Sequence, residues 1–187
     1  MTSQTYINAL YTSAVNRGYS QIKGSLYKNR NDNILVLKMF HIKPSYVGYR
    51  LMLKPKLFDK YFSLVMGRSG PMPRMKEPAQ TSFEAPYIPL ISARILPERP
   101  APYTFDYING HIEEILDDFL KEPSISAYIK RHPEYEDDDI LYFLALCTER
   151  RLTEAADFCR SQVSRGFIGS YITRGQGFYE LAAEKIT

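Results

Sequence analysis

The sequence predicts an α+β fold, on three observations. Apolar residues near the N-terminus recur at helical spacing. Between residues 19 and 54 the pattern changes to alternation at a period of two, and after residue 103 helical spacing returns. The layout expected from this order is an N-terminal helix with a small antiparallel β-meander, followed by a C-terminal all-helical half.

Residues 4–16 place Tyr6, Ile7, Leu10, Tyr11, Ala14 and Val15 on one helical stripe, and Gly18 is placed to end it. YSQIKGSLYK then alternates, with Ile22 and Leu26 on one face. NRNDN (29–33) is a turn cluster. ILVLKMFHIK is apolar on both faces, as a central strand should be. After Lys43-Pro44-Ser45, YVGYRLMLK alternates again, with Val47, Tyr49, Leu51 and Leu53 facing one way. Three strands joined by short turns read as a meander.

Pro55 suits the first turn of a helix, and the helical spacing of PKLFDKYFSLVMG runs to Gly67. Eight of the twelve prolines lie between Pro71 and Pro102, so residues 68–102 are expected to be mostly loop, with one strand at 90–96. From Thr104 onward Ile108, Ile112, Ile115, Leu116, Phe119 and Leu120 form a stripe. Pro123 stops that helix and Ser124 caps a short one. Residues 137–150 and 153–165 form a helical hairpin closed by Gly166, and a last helix is expected over 174–186. Residues 1–100 are expected to form a helix-plus-sheet lobe with its proline-rich passage, and 103–187 a helical lobe. One continuous domain remains the alternative.

The 187 residues suffice for a sizeable core, and neither half is polar enough to be disordered. No apolar run reaches the length of a membrane span, and MTSQTYINALYTSAV lacks the basic start of a signal peptide. No membrane partner is therefore expected. Cys147 and Cys159 have no C-x-x-C spacing and point to packing thiols in a reducing, cytoplasmic compartment.

The net charge of +3 hides a split. Residues 1–100 carry 15 Lys/Arg against 5 Asp/Glu, and residues 101–187 carry 9 against 16. An acidic half can steer and dock a basic partner. The candidate docking residues are Glu113, Asp117, Glu136, Asp137, Asp138 and Asp139. The run Glu136 to Asp139 is first of all a helix start, because carboxylates complement the positive end of the helix dipole. It lacks the glycine-turned loop that would converge oxygens on a metal.

A second reading uses the basic half. Lys23, Tyr27, Lys28, Tyr46, Arg50 and Lys54 punctuate the meander, and the alternation groups Tyr19, Lys23 and Tyr27 on one face, and Tyr46, Arg50 and Lys54 on one face. Cations with rings between them suit the phosphates and bases of single-stranded nucleic acid. A third reading is a metal- or His-dependent hydrolase. Tyr107, His111, Glu114 and Asp118 lie at i, i+4, i+7 and i+11 on one helix edge, where a His and two carboxylates could share a proton. No G-x-G-x-x-G, Walker A, G-x-S-x-G or H-E-x-x-H motif occurs, which weighs against an enzyme and calls for no cofactor.

RGYSQIKGSLYKNRNDNILVLKMFHIK (17–43) resembles the opening of a group of uncharacterised bacterial domains, some of them found near polymorphic-toxin systems. That resemblance implies an immunity-type binding role and carries no catalytic residues. The stretch at 140–166, with LYFLALCTERRLTEAADFCRSQVSRG, resembles a single tetratricopeptide-like hairpin. Glu154-Ala155 sits where that repeat places its small packing residue, and Phe143 departs from the pattern. No second copy follows at a period of 34, so no solenoid is expected. Taken together, the expected function is a non-enzymatic protein-binding role of immunity or adaptor type.

Overall fold

The computed structural model describes residues 3–22, 24–43, 46–67, 85–96, 101–132 and 138–186. The chain is α+β. In order it forms α1 (Ser3–Val15), β1 (Ser20–Ile22), β2 (Ser25–Arg30), β3 (Asn33–Lys43), β4 (Tyr46–Pro55), α2 (Lys56–Val65), β5 (Ile88–Ile95) and α3 (Ala101–Leu120). Then follow α4 (Ile125–Arg131), α5 (Asp138–Thr148), α6 (Leu152–Ser164), β6 (Ile172–Thr173), β7 (Gln176–Gly177) and α7 (Phe178–Lys185).

The sheet has five antiparallel strands in the order β1-β2-β3-β4-β5, where the alternation predicted a meander of three. YSQIKGSLYK is not one strand. It folds back on itself at Gly24, whose φ of +75° is a conformation glycine adopts without strain, and Ile22 comes to pair with Ser25. The strand expected at 90–96 is β5, on the edge beside β4. Its register shifts twice, between Tyr49 and Leu51 and again between Leu51 and Met52. β3 is central, and Ile34, Leu35, Val36 and Leu37 are all buried, as a strand covered on both faces requires.

The chain divides into two compact units, residues 1–55 with 87–121, and residues 56–86 with 122–187. The boundaries differ from the sequence division near residue 100. α3 groups with the sheet because its stripe of Phe105, Ile108 and Ile112 is fully buried there, while α2 groups with the later helices. In the first unit, Leu26, Leu37 and Leu51 lie in register on the sheet face that α1 and α3 cover. Each such side chain stabilises by roughly 1.5–3 kcal/mol on burial.

The second unit is built on rings. Phe178 of α7 stacks on Phe62 of α2 at 5.5 Å and meets Phe143 of α5 edge-on at 5.3 Å. Ser124 caps α4 by accepting from the Ala127 N–H at 3.1 Å, as expected. The final helix is shorter than 174–186, because residues 172–177 form the β6–β7 hairpin instead. Its turn places Arg174 (φ +52°) and Gly175 (φ +82°) in left-handed conformations, the geometry of a tight two-residue hairpin turn.

Regrouping the elements also regroups charge. The first unit holds 11 basic and 7 acidic residues, and the second 13 and 14. The acidic half of the sequence is thus not an acidic body. The carboxylates of α3 fold with the basic sheet, and the lysines of α2 fold with the later helices.

Candidate protein-docking groove

In the second unit α4, α5 and α6 enclose a groove of about 490 Å³. α5 contributes Asp139 and Tyr142, three residues apart on one face. α6 contributes Glu154, Asp157 and Phe158 at the i, i+3, i+4 spacing that lines up one helical edge. Lys130, in the last turn of α4, completes the rim.

The floor of the groove is aromatic. Tyr142 meets Phe158 edge-on at 5.2 Å, and Phe158 meets Tyr179 of α7 edge-on at 6.1 Å. Lys130 Nζ lies 4.7 Å from the centre of the Tyr142 ring, within reach of its π-face. The rim is anionic. Arg151 grips Glu154 with two donors at 2.8 and 2.6 Å and holds its carboxyl below the usual carboxylate range, with a smaller contribution from Lys130. Arg160 donates to Asp157 at 2.6 Å, and Gln162 Nε2 donates to Asp139 at 3.2 Å. The groove therefore sets three carboxylates and one ammonium around two rings. A cationic side chain entering here would share carboxylates that already hold internal donors and would lie beside Lys130 at the aromatic floor.

Among the described residues, Asp139 is the one expected docking residue that lines this groove. Glu113 lies on α3 in the first unit and is ion-paired with Arg30 of β2. Asp117 is exposed on the same helix, so these two belong to a different unit from Asp139. Glu136 and Asp137 lie outside the described residues, and Asp138 is described only as the first residue of α5. The sequence reading missed Lys130, Tyr142, Glu154, Asp157 and Phe158. For Glu154, Asp157 and Phe158 the signal in the sequence is their i, i+3, i+4 spacing along one edge of α6.

The basic residues of the meander are also divided. Lys23 lies outside the described residues. Register puts Tyr27 on the sheet face opposite the one covered by α1 and α3, with Val36 and Met52. Tyr27 is only 9% exposed, in an apolar cluster with Ile34 and Val36. Lys28 points to the other face, its Nζ 4.8 Å from the centre of the Tyr19 ring. Tyr46, Arg50 and Lys54 do share a face by alternation along β4, but Lys54 is fully buried with its Nζ 4.7 Å from the centre of the Tyr87 ring. Arg50 and Tyr46 are exposed. The five of them that are described thus form no continuous charged and stacking surface.

His111 is not beside a free carboxylate pair. Its Nδ1 lies 2.7 Å from the hydroxyl of Tyr49 on β4, and Arg94 of β5 donates to its ring. Arg94 also donates to the hydroxyl of Tyr107 at 2.9 Å. A guanidinium can only donate, so the ring nitrogen facing it is unprotonated and the imidazole is neutral. Burial first, then Arg94, pushes the pKa of His111 down, against a smaller opposing pull from Glu114. Among the described residues no group of three or more His, Cys, Asp or Glu is arranged to hold a metal ion.

Comparison with known protein families, curated proteins and solved structures finds no match for the chain.

Proposed function

We infer that the chain is a non-enzymatic, cytoplasmic protein-binding protein of adaptor or immunity type, and that it seats a basic side chain of its partner in the groove between α4, α5 and α6. The observation that carries this is the combination of Asp139, Glu154 and Asp157 with the edge-on pair Tyr142 and Phe158 around one concavity. Aromatic anchors inside a charged rim are the usual makeup of a binding hot spot. Arginine or lysine is the matching chemistry, because either can satisfy a carboxylate and lie over a ring. The absence of membrane-crossing helices among the described residues and the two unbridged thiols support the compartment.

The test is capture of partners from the native cell after nuclease treatment, with wild type beside an Asp139→Asn/Asp157→Asn double variant. A stoichiometric protein with a basic contact surface, retained by wild type and lost by the variant, is the expected result. Equal retention by both would overturn the groove. Recovery of nucleic acid alone would move the reading to the sheet.

A further inference from the structure

A second surface of the same unit differs in chemistry from the groove. Between α6 and α7, Phe167 is 51% exposed, Ile168 44% and Ile172 61%. This exposure is built in by the backbone. The Gly166 N–H bonds to the Val163 carbonyl at 2.9 Å and the Phe167 N–H to that of Gln162 at 3.0 Å, which is the Schellman ending of a helix. In that motif the second residue past the cap normally tucks an apolar side chain back onto the helix. Here that residue is Phe167, and it faces solvent.

The next residues are equally fixed. The Ile168 carbonyl accepts from the Tyr179 N–H at 3.2 Å, and Gly169 (φ +85°) lies so close to α7 that a Cβ there would meet Phe178 at 3.0 Å. A Cβ on Gly177 would point at Ile168, and Gly177 pairs with Ile172 across the β6–β7 ribbon. Cross-strand partners share a face, so Ile168 and Ile172 lie on the same side.

Two arginines flank these side chains. The Arg165 guanidinium lies 5.1 Å from the centre of the Phe167 ring, and Arg174 is held at the tip of the ribbon in a left-handed conformation that Asn or Gly adopts more easily. Neither makes an ion pair among the described residues. From Arg165 to Gly175 the chain has no carboxylate and no side-chain amide. Such a surface offers apolar tips and positive charge, with little to match the donors and acceptors of a protein interface.

We propose that residues 165–175 form a peripheral docking edge for an anionic lipid surface. Phe167, Ile168 and Ile172 enter the headgroup layer, and Arg165 and Arg174 pair with lipid phosphates. The expectation of no membrane partner rested on the lack of a spanning run, which bears only on helices that cross. The proposal is independent of the groove.

Co-sedimentation of the full chain with vesicles tests it, using phosphatidylcholine alone and phosphatidylcholine carrying phosphatidylserine. Binding to the anionic vesicles at least about tenfold tighter than to the neutral ones is expected. Phe167→Ser/Ile168→Ser should lower that affinity at least about tenfold, and Arg165→Gln/Arg174→Gln should flatten its salt dependence. Thermal melts check that both variants fold, and Asp139→Asn/Asp157→Asn should bind vesicles as wild type does. Absence of vesicle binding by wild type, or unchanged binding by Phe167→Ser/Ile168→Ser, would overturn the proposal. A captured protein released by Phe167→Ser/Ile168→Ser, with no vesicle binding, would make the edge a protein contact instead.

Discussion

The hydroxyl of Tyr49 lies 2.7 Å from Nδ1 of His111, joining β4 to α3 through two groups 62 positions apart in the chain. Arg94 Nη1 reaches both ring nitrogens and can only donate, so at least one of them accepts and the ring carries no more than one proton. Burial pushes the Tyr49 hydroxyl up to about 12 against a downward pull from Arg94, with Tyr107 adding a smaller upward push, so it remains protonated at neutral pH.

This contact gives the first prediction, an acid-labile latch within the first unit. The groups facing His111 are Arg94 on β5, Tyr49 on β4, and Tyr107 and Glu114 on α3. The folded pKa of His111 is depressed below the ordinary 6.5, so the folded state binds fewer protons than the unfolded state in that window. Its stabilisation is present above pH 6.5 and is lost as pH falls through the folded value. The melting temperature of wild type minus that of His111→Gln should shrink as pH drops from neutral into that range. A difference that grows on acidification would contradict the neutral ring.

Glu149 holds the start of α4. It accepts from the Ser126 N–H and from the Ser126 hydroxyl, both at 2.8 Å, and Ser126 is buried. Glu149→Ala would leave two buried donors with weaker partners, a loss of about 1–3 kcal/mol. Denaturant unfolding should show that drop in midpoint. A change of a few tenths would mean that the contact forms little of the stability.

Gly177→Ala should be among the worst small substitutions. An added Cβ would lie 2.5 Å from Ile168 Cβ and 2.7 Å from the Ile168 carbonyl carbon, and backbone cannot give way as a side-chain tip can. A destabilisation of about 1–3 kcal/mol is expected from the overlap. An unchanged melt would show that the 168–177 approach is looser than described.

Cys147 and Cys159 face each other's helices, fully buried, and burial pushes each thiol up to about 12. Thiolate is the reactive form, so native protein should label negligibly with a thiol reagent at neutral pH and both cysteines should label in denaturant. Rapid labelling of either in native protein would place it outside the core.

Glu113 and Arg30 are each about 40% exposed on their side chains. Such a pair contributes at most about 1 kcal/mol. Glu113→Gln should therefore leave both the melt and the capture of a basic partner almost unchanged. Loss of capture would return α3 to the docking surface.

Legibility followed how local each signal was. The Ser124 cap, the Gly18, Gly67 and Gly166 helix ends, and the doubly apolar β3 depend on neighbours in the chain, and each stands where the spacing put it. The break at Gly24 inverts the alternation: Ile22 pairs with Ser25 and packs on the Tyr27 face, opposite Leu26, where an unbroken strand would put Ile22 and Leu26 together. On the α3 edge, helical spacing offered Glu114 and Asp118 as partners of His111. Its actual partners arrive from two strands, which no period in α3 encodes. Asp139 was visible as an acid at a helix start. The groove was not, because it exists only where three helices meet.

The two register slips of β5 carry a further consequence for how the molecule behaves in a crowded solution. At the opposite margin of the sheet stands β1, only three residues long, and β5 breaks register twice and carries Pro89, which has no N–H to give. A foreign strand needs a long, regular ladder to add itself to such a margin. Both ends of this sheet deny it one, so molecules meeting side by side are poorly equipped to polymerise through their backbones.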